Sequence, residues 1–236
     1  MSAITGLIPR RPQTAVNSIR EDGTFAEPSE FVESRLVSEV NQIRTHFGDV
    51  YNRGTHLCSR VYEEADARRG RLGADPRSLS TKANNIAIEL VEPVSFGTHR
   101  EFEPDYILNH GGMCLEASLV AEMSAHVLYS FDKSKPPYNA GTSIVMARMR
   151  HDDGSYAYHA VVKLEATGLG DNGEEYTMTR VLDPMSHEGD WNDFVGNRFY
   201  SFQDAGDSPP VVVDEIIGET SKSPFIWLPP VKAVHG

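Results

Sequence analysis

Apolar residues recur every three or four positions in two long stretches of this chain. The first stretch, residues 30–53, carries Val32, Leu36, Val40, Ile43, Phe47 and Val50. The second stretch, residues 113–131, carries Leu115, Leu119, Met123 and Val127, with Val120, Leu128 and Phe131 beside them. This period is that of an amphipathic helix, so each stretch predicts one. Gly54 suits the end of the first helix, and Pro136-Pro137 ends the second.

The segments between these two helices have weaker patterns. Residues 55–69 predict a further helix, and residues 70–80 predict a loop. Residues 81–92 fit either a short helix or a strand, because their pattern favours neither period. Residues 93–112 hold Pro104 and several charges, and we expect them to be mostly irregular.

The second half of the chain predicts an antiparallel meander. Residues 143–150, 156–164 and 175–182 are β-like, and turns at residues 152–154 and 170–173 separate them. Each turn contains glycine and acidic or amide residues, the composition that tight hairpins favour. The three segments are therefore expected to lie side by side as neighbouring strands.

Two further strands are predicted after an aromatic-rich segment. Residues 211–217 and 225–228 have strand character. The aromatic side chains that we expect to cover one end of the sheet are Trp191, Phe194, Phe199, Tyr200 and Phe202. Helices followed by a meander predict an α+β fold, in which N-terminal helices precede a central helix packed on an antiparallel sheet.

The chain divides into a polar leader and one domain. Residues 1–28 show no apolar periodicity, and we predict that they form a disordered leader. Residues 29–236 contain no internal repeat and no clear linker, so we predict one domain. Residues 1–20 lack the apolar core of a signal peptide. This predicts either secretion by a route other than the general one or a cytoplasmic location.

Composition argues against several classes of partner. The 236 residues are 39% hydrophobic and 24% charged, with a formal net charge of −12. That charge repels nucleic acid phosphates and anionic membrane surfaces, so we expect neither as a partner. No apolar run approaches the roughly 20 residues that cross a bilayer, so we expect no membrane insertion. The two cysteines and nine histidines show no metal-ligand spacing, so we predict no metal and no cofactor.

One of the two cysteines stands where reactivity is favoured. Cys114 follows Gly111-Gly112-Met113 and begins the helix of the second apolar stripe. A thiol in the first helical turn experiences the positive end of the helix dipole, which favours the nucleophilic thiolate. The alternative is a small core residue, which is what a cysteine in an apolar helix usually is. Cys58 lacks this setting and fits the structural role better.

A histidine and an aspartate follow on the predicted meander. His159 lies in its second strand, and Asp183 comes directly after its third strand. On neighbouring strands the carboxylate would orient the imidazole, which would exchange a proton with Cys114. The alternatives are a packed strand histidine and an aspartate that forms a turn before Pro184. Cysteine, histidine and aspartate in this order indicate a nucleophilic cysteine enzyme.

Three short segments together resemble the papain-like and transglutaminase-like superfamily. They are Gly-Met-Cys-Leu-Glu-Ala at residues 112–117, Tyr-His-Ala-Val-Val at residues 158–162 and Val-Leu-Asp-Pro at residues 181–184. The layout is similar to that of bacterial effectors: YopT-type cysteine proteases, AvrPphE effectors and effector glutamine deamidases. It also resembles protein glutaminase and, in its Gly-Gly-x-Cys-x-Glu piece, the arylamine N-acetyltransferases.

The resemblance implies both a fold and a set of site residues. It implies a papain-like/transglutaminase-like core that holds a triad of Cys114, His159 and Asp183. In this superfamily a side chain upstream of the cysteine often completes the oxyanion hole, and Asn109 is the nearest candidate. The candidates for oxyanion or substrate binding are Asn109, His110, Gly112 and Glu116. Glu116 has a second explanation, because a carboxylate in the first helical turn is favourable for the helix dipole alone.

The leading hypothesis is a cysteine hydrolase that acts on amide bonds of a protein, which the resemblance suggests belongs to a host cell. The bond is either a peptide bond, as in a protease, or a glutamine side-chain amide, as in a deamidase. A transglutaminase or an acyltransferase would use the same triad with a different acceptor or donor. An alternative of another class is a binding protein that keeps the fold without catalysis.

Overall fold

The computed structural model describes residues 24–25, 27–28, 30–68, 76–95, 101–131, 139–169, 175–186, 189–196 and 211–224. The helices among them are α1 (Glu30–Tyr51), α2 (His56–Arg68), α3 (Pro76–Leu90), α4 (Pro104–His110), α5 (Cys114–Phe131) and α6 (Trp191–Gly196). The strands are β1 (Asn139–Arg150), β2 (Tyr156–Leu169), β3 (Glu175–Leu182), β4 (Gly189–Asp190), β5 (Val212–Glu219) and β6 (Ser223–Pro224). Helices and a sheet together make the α+β fold that the pattern predicts.

All pairs of strands in the sheet are antiparallel. The order is β4-β3-β2-β1-β5, and β6 also pairs with β1. The β1–β2 hairpin runs in register from Asn139 opposite Thr167 to Arg150 opposite Tyr156. Its turn uses Gly154 at a φ of +79°, a conformation that glycine adopts without strain. The three-stranded meander predicted from the sequence is therefore present, with β2 in its middle.

Helix α5 lies at the centre of the main core. It packs against α2 and α3 and also against β1 and β2. The largest fully buried side chains come from several elements and are Tyr51, Phe47, Leu57, Ile86, Ile107, Leu119, Leu128, Ile144, Met149, Leu164 and Leu182. Burial on all its sides explains why α5 is apolar well beyond one stripe.

The sheet also buries residues on its other face. Along β1, Ile144 and Met146 belong to the main core, whereas Val145 and Ala147 belong to a second apolar cluster. This alternation is the two-residue period of a strand. Phe194 of α6 packs in the second cluster, so α6 covers that face.

The structure confirms most predicted elements and corrects two segments. Residues 81–92, left open between helix and strand, fall largely in α3, which begins at residue 76 inside the predicted loop. The prediction of a mostly irregular segment at residues 93–112 was wrong for α4. Pro104 is tolerated there because it stands in the first turn of that helix, where its missing N–H is not needed.

Several predicted features lie outside the described residues. These are the turn at residues 170–173, the strand at residues 225–228, the aromatic side chains of Phe199, Tyr200 and Phe202, and most of the leader at residues 1–28. Within that leader, the described Phe25 forms an antiparallel bridge with Tyr156. Its N–H donates to the Tyr156 carbonyl at 2.7 Å.

None of the described helices combines the length and the apolar character that crossing a bilayer requires.

Candidate active site

A glycine turn places Cys114 at the first residue of α5. Gly111 has a φ of +75°, and a Cβ there would lie 2.0 Å from the carbonyl oxygen of Glu92. The N–H of Gly112 donates to that same oxygen at 2.9 Å, and the N–H of Val94 donates to the Gly112 carbonyl at 3.2 Å. The turn is thereby fixed to the segment after α3, which holds the start of α5 in place.

The Glu116 side chain caps the N-terminus of α5. Its Oε2 accepts a hydrogen bond from the backbone N–H of Met113 at 3.2 Å. This is the return half of a capping box, in which the third helical residue bonds the N-cap N–H. Glu116 is 1% exposed, and a Cβ added to Gly112 would lie 2.4 Å from the Cβ of Glu116. Glu116 and Gly112 therefore pack directly against each other at this turn.

The register of the meander brings His159 and Asp183 together. The β2–β3 ladder ends at the pair Val162–Leu182, and Asp183 follows that pair directly. Continuing the register would set Asp183 opposite Val161, and His159 lies two residues along the same face of β2. Such diagonal neighbours are within reach of long side chains. His159 Nε2 lies 2.6 Å from Asp183 Oδ2, and both side chains are buried.

Asp183 also forms the turn that was its alternative explanation. Its Oδ1 accepts from the backbone N–H of Met185 at 3.0 Å. Its carbonyl accepts from the N–H of Ser186 at 3.1 Å. The turn and the bond to His159 are thus compatible, since each uses a different oxygen. The Met185 N–H was not singled out from the sequence, although an aspartate before proline often bonds the N–H two residues on.

His159 interacts with both the carboxylate and the thiol. Asp183 Oδ2 lies 2.6 Å from its Nε2, and the side chain of Cys114 is near enough to raise the pKa of the ring. With Nε2 engaged by Asp183, Nδ1 is the nitrogen that remains for the sulfur. Burial alone would lower the pKa of His159, but the charge and hydrogen bond of Asp183, with a smaller effect of Cys114, raise it to about 10. Asp183 thereby favours the imidazolium form of the ring at neutral pH.

The two cysteines differ in the way the sequence indicates. Both are free, but Cys58 is buried in α2 whereas Cys114 is partly exposed. Burial raises the pKa of the Cys58 thiol, and a hydrogen bond with Tyr51 only partly offsets this. Cys114 is thus the thiol with access to solvent, and it interacts with His159, whose imidazolium form Asp183 favours. Reactive cysteines are typically found in partly exposed, electropositive environments of this kind.

A donor for a developing oxyanion is available at the start of α5. The backbone N–H of Cys114 belongs to the first turn of a helix, where N–H groups have no acceptor within the helix. Such N–H groups stabilise an oxyanion when they point at the reacting carbonyl. In a nucleophilic role for Cys114, this donor would come with the residue itself and would need no further side chain.

The two upstream candidates make their hydrogen bonds within α4. Asn109 Nδ2 donates to the carbonyl of Asp105 at 2.7 Å. His110 Nδ1 lies 3.1 Å from the carbonyl of Tyr106, and its ring stacks on that of Tyr106 at 4.2 Å. Both side chains are exposed. Their predicted roles in oxyanion or substrate binding stay predictions.

His126 and His151, the other described histidines in the second half of the chain, have separate environments. His126 is buried, and its Nε2 lies 2.9 Å from the hydroxyl of Thr142, away from the first turn of α5. His151 adjoins the β1–β2 turn, and His187 lies outside the described residues. In the part of the chain that the structure describes, no group of three or more His, Cys, Asp or Glu side chains could hold a metal ion.

No family model matches this chain, and no curated protein or solved structure shows significant similarity to it. The likeness to the papain-like and transglutaminase-like superfamily therefore stays a prediction made from three short segments. The case for chemistry accordingly depends on the geometry of the site itself.

Proposed function

We propose that this protein is a cysteine-nucleophile hydrolase acting on amide bonds of a protein substrate, built on a papain-like/transglutaminase-like core. The observation that carries the proposal is the buried His159 ring, whose Nε2 lies 2.6 Å from Asp183 Oδ2 and which also interacts with the side chain of Cys114. A structural strand histidine would not require both a carboxylate and a thiol as neighbours. Cys114 begins α5, His159 lies in β2 and Asp183 follows the end of β3, so three separate parts of the chain supply the site.

In the proposed reaction the Cys114 thiolate attacks the carbonyl carbon of the amide. A C–S bond forms, and the carbonyl oxygen becomes an oxyanion near the Cys114 N–H. Protonated His159 gives its proton to the departing nitrogen as the C–N bond breaks, which leaves a thioester on Cys114. His159, now neutral, accepts a proton from the water that attacks the thioester carbonyl. The C–S bond then breaks, which releases the carboxylic acid product and restores the Cys114 thiolate beside protonated His159. Asp183 keeps the ring oriented and stabilises its protonated form.

Alkylation by iodoacetamide at pH 6 tests the central pair. A thiol with the usual pKa of about 8.5 is only about 0.3% ionised at this pH, so unassisted thiols react slowly. We expect Cys114 to be labelled at least about ten-fold faster than Cys58, and His159→Gln to slow it about ten-fold or more. His46→Gln is the control, because His46 is also paired with a carboxylate, Glu103, at 2.7 Å. Equal labelling of Cys114 in all three proteins would refute the proposal.

The type of amide is decided by the products. A peptidase releases new α-amino termini from a protein substrate, whereas a glutamine deamidase releases ammonia and leaves the polypeptide intact. Incubation of the wild type and of Cys114→Ser with a panel of denatured proteins distinguishes these products. If Cys114 passes the alkylation test and yet neither product forms with any protein, an acyl-transfer reaction with an added amine is the next assay.

A further inference from the structure

One hydroxyl group links the helix of the nucleophile to the strand of the histidine. Ser118 lies four residues after Cys114, one turn farther along α5, and is 0% exposed. Its Oγ donates to the carbonyl oxygen of Ala160 at 2.9 Å. Ala160 is the residue after His159 in β2. The bond therefore joins a residue one helical turn from Cys114 to the residue next to His159.

The part of the β2 edge that β3 does not reach explains why this carbonyl needs a donor. Tyr156 exchanges both of its backbone hydrogen bonds with Phe25. In an antiparallel strand every second residue points its N–H and C=O to the same side, so Ala160 points to that edge as well. The β3 strand would supply a donor there, but its ladder with β2 ends at Val162–Leu182. Ser118 occupies the place that β3 leaves when the chain turns at Asp183.

The same break in the ladder builds the proposed site. Because β3 stops at Leu182, Asp183 turns towards His159, and Ser118 of α5 bonds the part of the β2 edge that β3 does not reach. Apolar packing of α5 on the sheet fixes their separation, but it is non-directional and sets their mutual register less sharply. Farther along the helix, Glu122 and His126 bond Thr142 of β1. Ser118 instead bonds the backbone of β2 next to His159.

We infer that Ser118 is a positioning residue, which sets the register of Cys114 against His159 through the Ala160 carbonyl. This inference depends on the proposed function. A displacement of about 1 Å between reacting groups costs on the order of 100-fold in rate, so a contact one turn away is able to control reactivity. The effect of Ser118 on substrate is indirect, because its hydroxyl is committed to the backbone of β2.

The test compares Ser118→Ala with Ser124→Ala in the full-length protein. Ser124 is also fully buried in α5, but its hydroxyl donates to the carbonyl of Val120 within the helix, at 2.8 Å. We expect Ser118→Ala to slow iodoacetamide labelling of Cys114 at pH 6 by about 5-fold or more, the effect of one buried hydrogen bond. Ser124→Ala should stay within about 2-fold of the wild type, which separates loss of the link from loss of any buried hydroxyl.

The pH profile distinguishes positioning from general destabilisation. At pH 10, where thiols are largely ionised without help, Ser118→Ala and the wild type should label equally. Equal labelling of Ser118→Ala and Ser124→Ala at pH 6 would overturn the inference. If Ser118→Ala does not fold, Ser118→Cys takes its place, because its thiol has similar size but donates weakly, and peptide mass mapping resolves the three cysteines. Ser118→Thr keeps the hydroxyl and should restore fast labelling.

Failure of this inference is distinguishable from failure of the proposed function. If wild-type Cys114 reacts no faster than Cys58 and its labelling rate is unchanged by His159→Gln, the hydrolase proposal fails, and the inference about Ser118 fails with it. If wild-type Cys114 passes that test and Ser118→Ala has no more effect than Ser124→Ala, the hydrolase proposal stands and the role of Ser118 is purely structural.

Discussion

One carboxylate oxygen of Asp183 stabilises the turn after β3 and the other bonds His159, and replacement by asparagine separates these two roles. Asp183→Asn keeps an oxygen for the N–H of Met185 but removes the charge that holds His159 protonated. We therefore expect the turn to survive and Cys114 to be alkylated at least about ten-fold more slowly at pH 7. The rate of iodoacetamide labelling, followed by mass spectrometry of the Cys114 peptide, measures this effect.

A second aspartate in the same kind of turn provides the control. Asp190 Oδ1 accepts from the N–H of Asn192, two residues on, at 2.9 Å. Asp190→Asn should leave labelling of Cys114 unchanged, because no histidine depends on this carboxylate for its charge in the described contacts. If Asp183→Asn also labels at the wild-type rate, the carboxylate has no part in activating the thiol.

Two glycines should respond to alanine in opposite directions. A Cβ on Gly112 would lie 2.4 Å from the Cβ of Glu116, whereas a Cβ on Gly48 would meet nothing within 4 Å. Gly112→Ala should destabilise the protein by about 1–3 kcal/mol through overpacking at the turn. Gly48→Ala, within α1, should stabilise it by about 0.5–1 kcal/mol because alanine favours a helix. Urea unfolding measures both, and equal stabilities would show that the turn has room to adapt.

At the scale of elements, periodic segments could be predicted and segments shaped by long-range contacts could not. The step of four through Leu115, Leu119 and Met123 identified α5, because one face of a helix repeats at that interval. Helix α4 carries no such period over its seven residues and is held by its neighbours. Its sequence signal, proline in the first helical turn followed by an acidic residue, is compatible with a loop as well.

The candidate site likewise combines local features, which the sequence predicts, with long-range contacts, which it does not. The helix start before Cys114 and the strand around His159 are local features, so their order in the sequence predicts them. The contact between His159 and Asp183 depends on where the β2–β3 ladder ends, which the pattern places only within a few residues. The bond from Ser118 to Ala160 gave no local signal, since its partners lie 42 residues apart.

A buried ion pair joins α1 to α5 and supports a prediction about both elements. Arg44 Nε and Nη2 donate to Glu122 at 2.8 and 2.5 Å, and Glu122 is fully buried. Arg44→Met would leave this carboxylate buried without its cation, which we expect to cost about 3–5 kcal/mol in unfolding free energy. Adding Glu122→Gln to that variant should recover part of the loss, as measured by a double-mutant cycle.

An exposed ion pair within α1, the helix of Arg44, is the control for this cycle. Arg35 and Glu39 lie 3.0 Å apart with 44% and 28% of their side chains exposed. Arg35→Met should change the unfolding free energy by less than about 0.5–1 kcal/mol, because exposed pairs contribute little. A similar loss for Arg35→Met and Arg44→Met would mean that charge balance across the molecule, rather than burial of Glu122, sets the cost.

At the scale of the whole molecule, two buried histidines affect the pH dependence of stability in opposite directions. Burial lowers the pKa of His126, so this residue reduces stability as the pH falls below the value of an unfolded histidine, about 6.5. The balance at His159 is different, because the charge of Asp183 outweighs burial and raises its pKa to about 10. The contribution of His159 is therefore complete below about pH 6.5 and is lost as the pH rises towards 10.

The contribution of His159 to the pH dependence of stability is isolated by comparing the unfolding free energies of the wild type and of His159→Gln. Both proteins contain His126 and nearly the same large negative charge, so the difference between their unfolding free energies cancels those contributions. We expect a difference of a few kcal/mol at pH 6 that shrinks steadily between pH 7 and pH 10. A difference that is constant over this range would mean that His159 is neutral in the folded protein. In that case the thiol would have no cation beside it, and attack by Cys114 would require His159 to act as a neutral base instead.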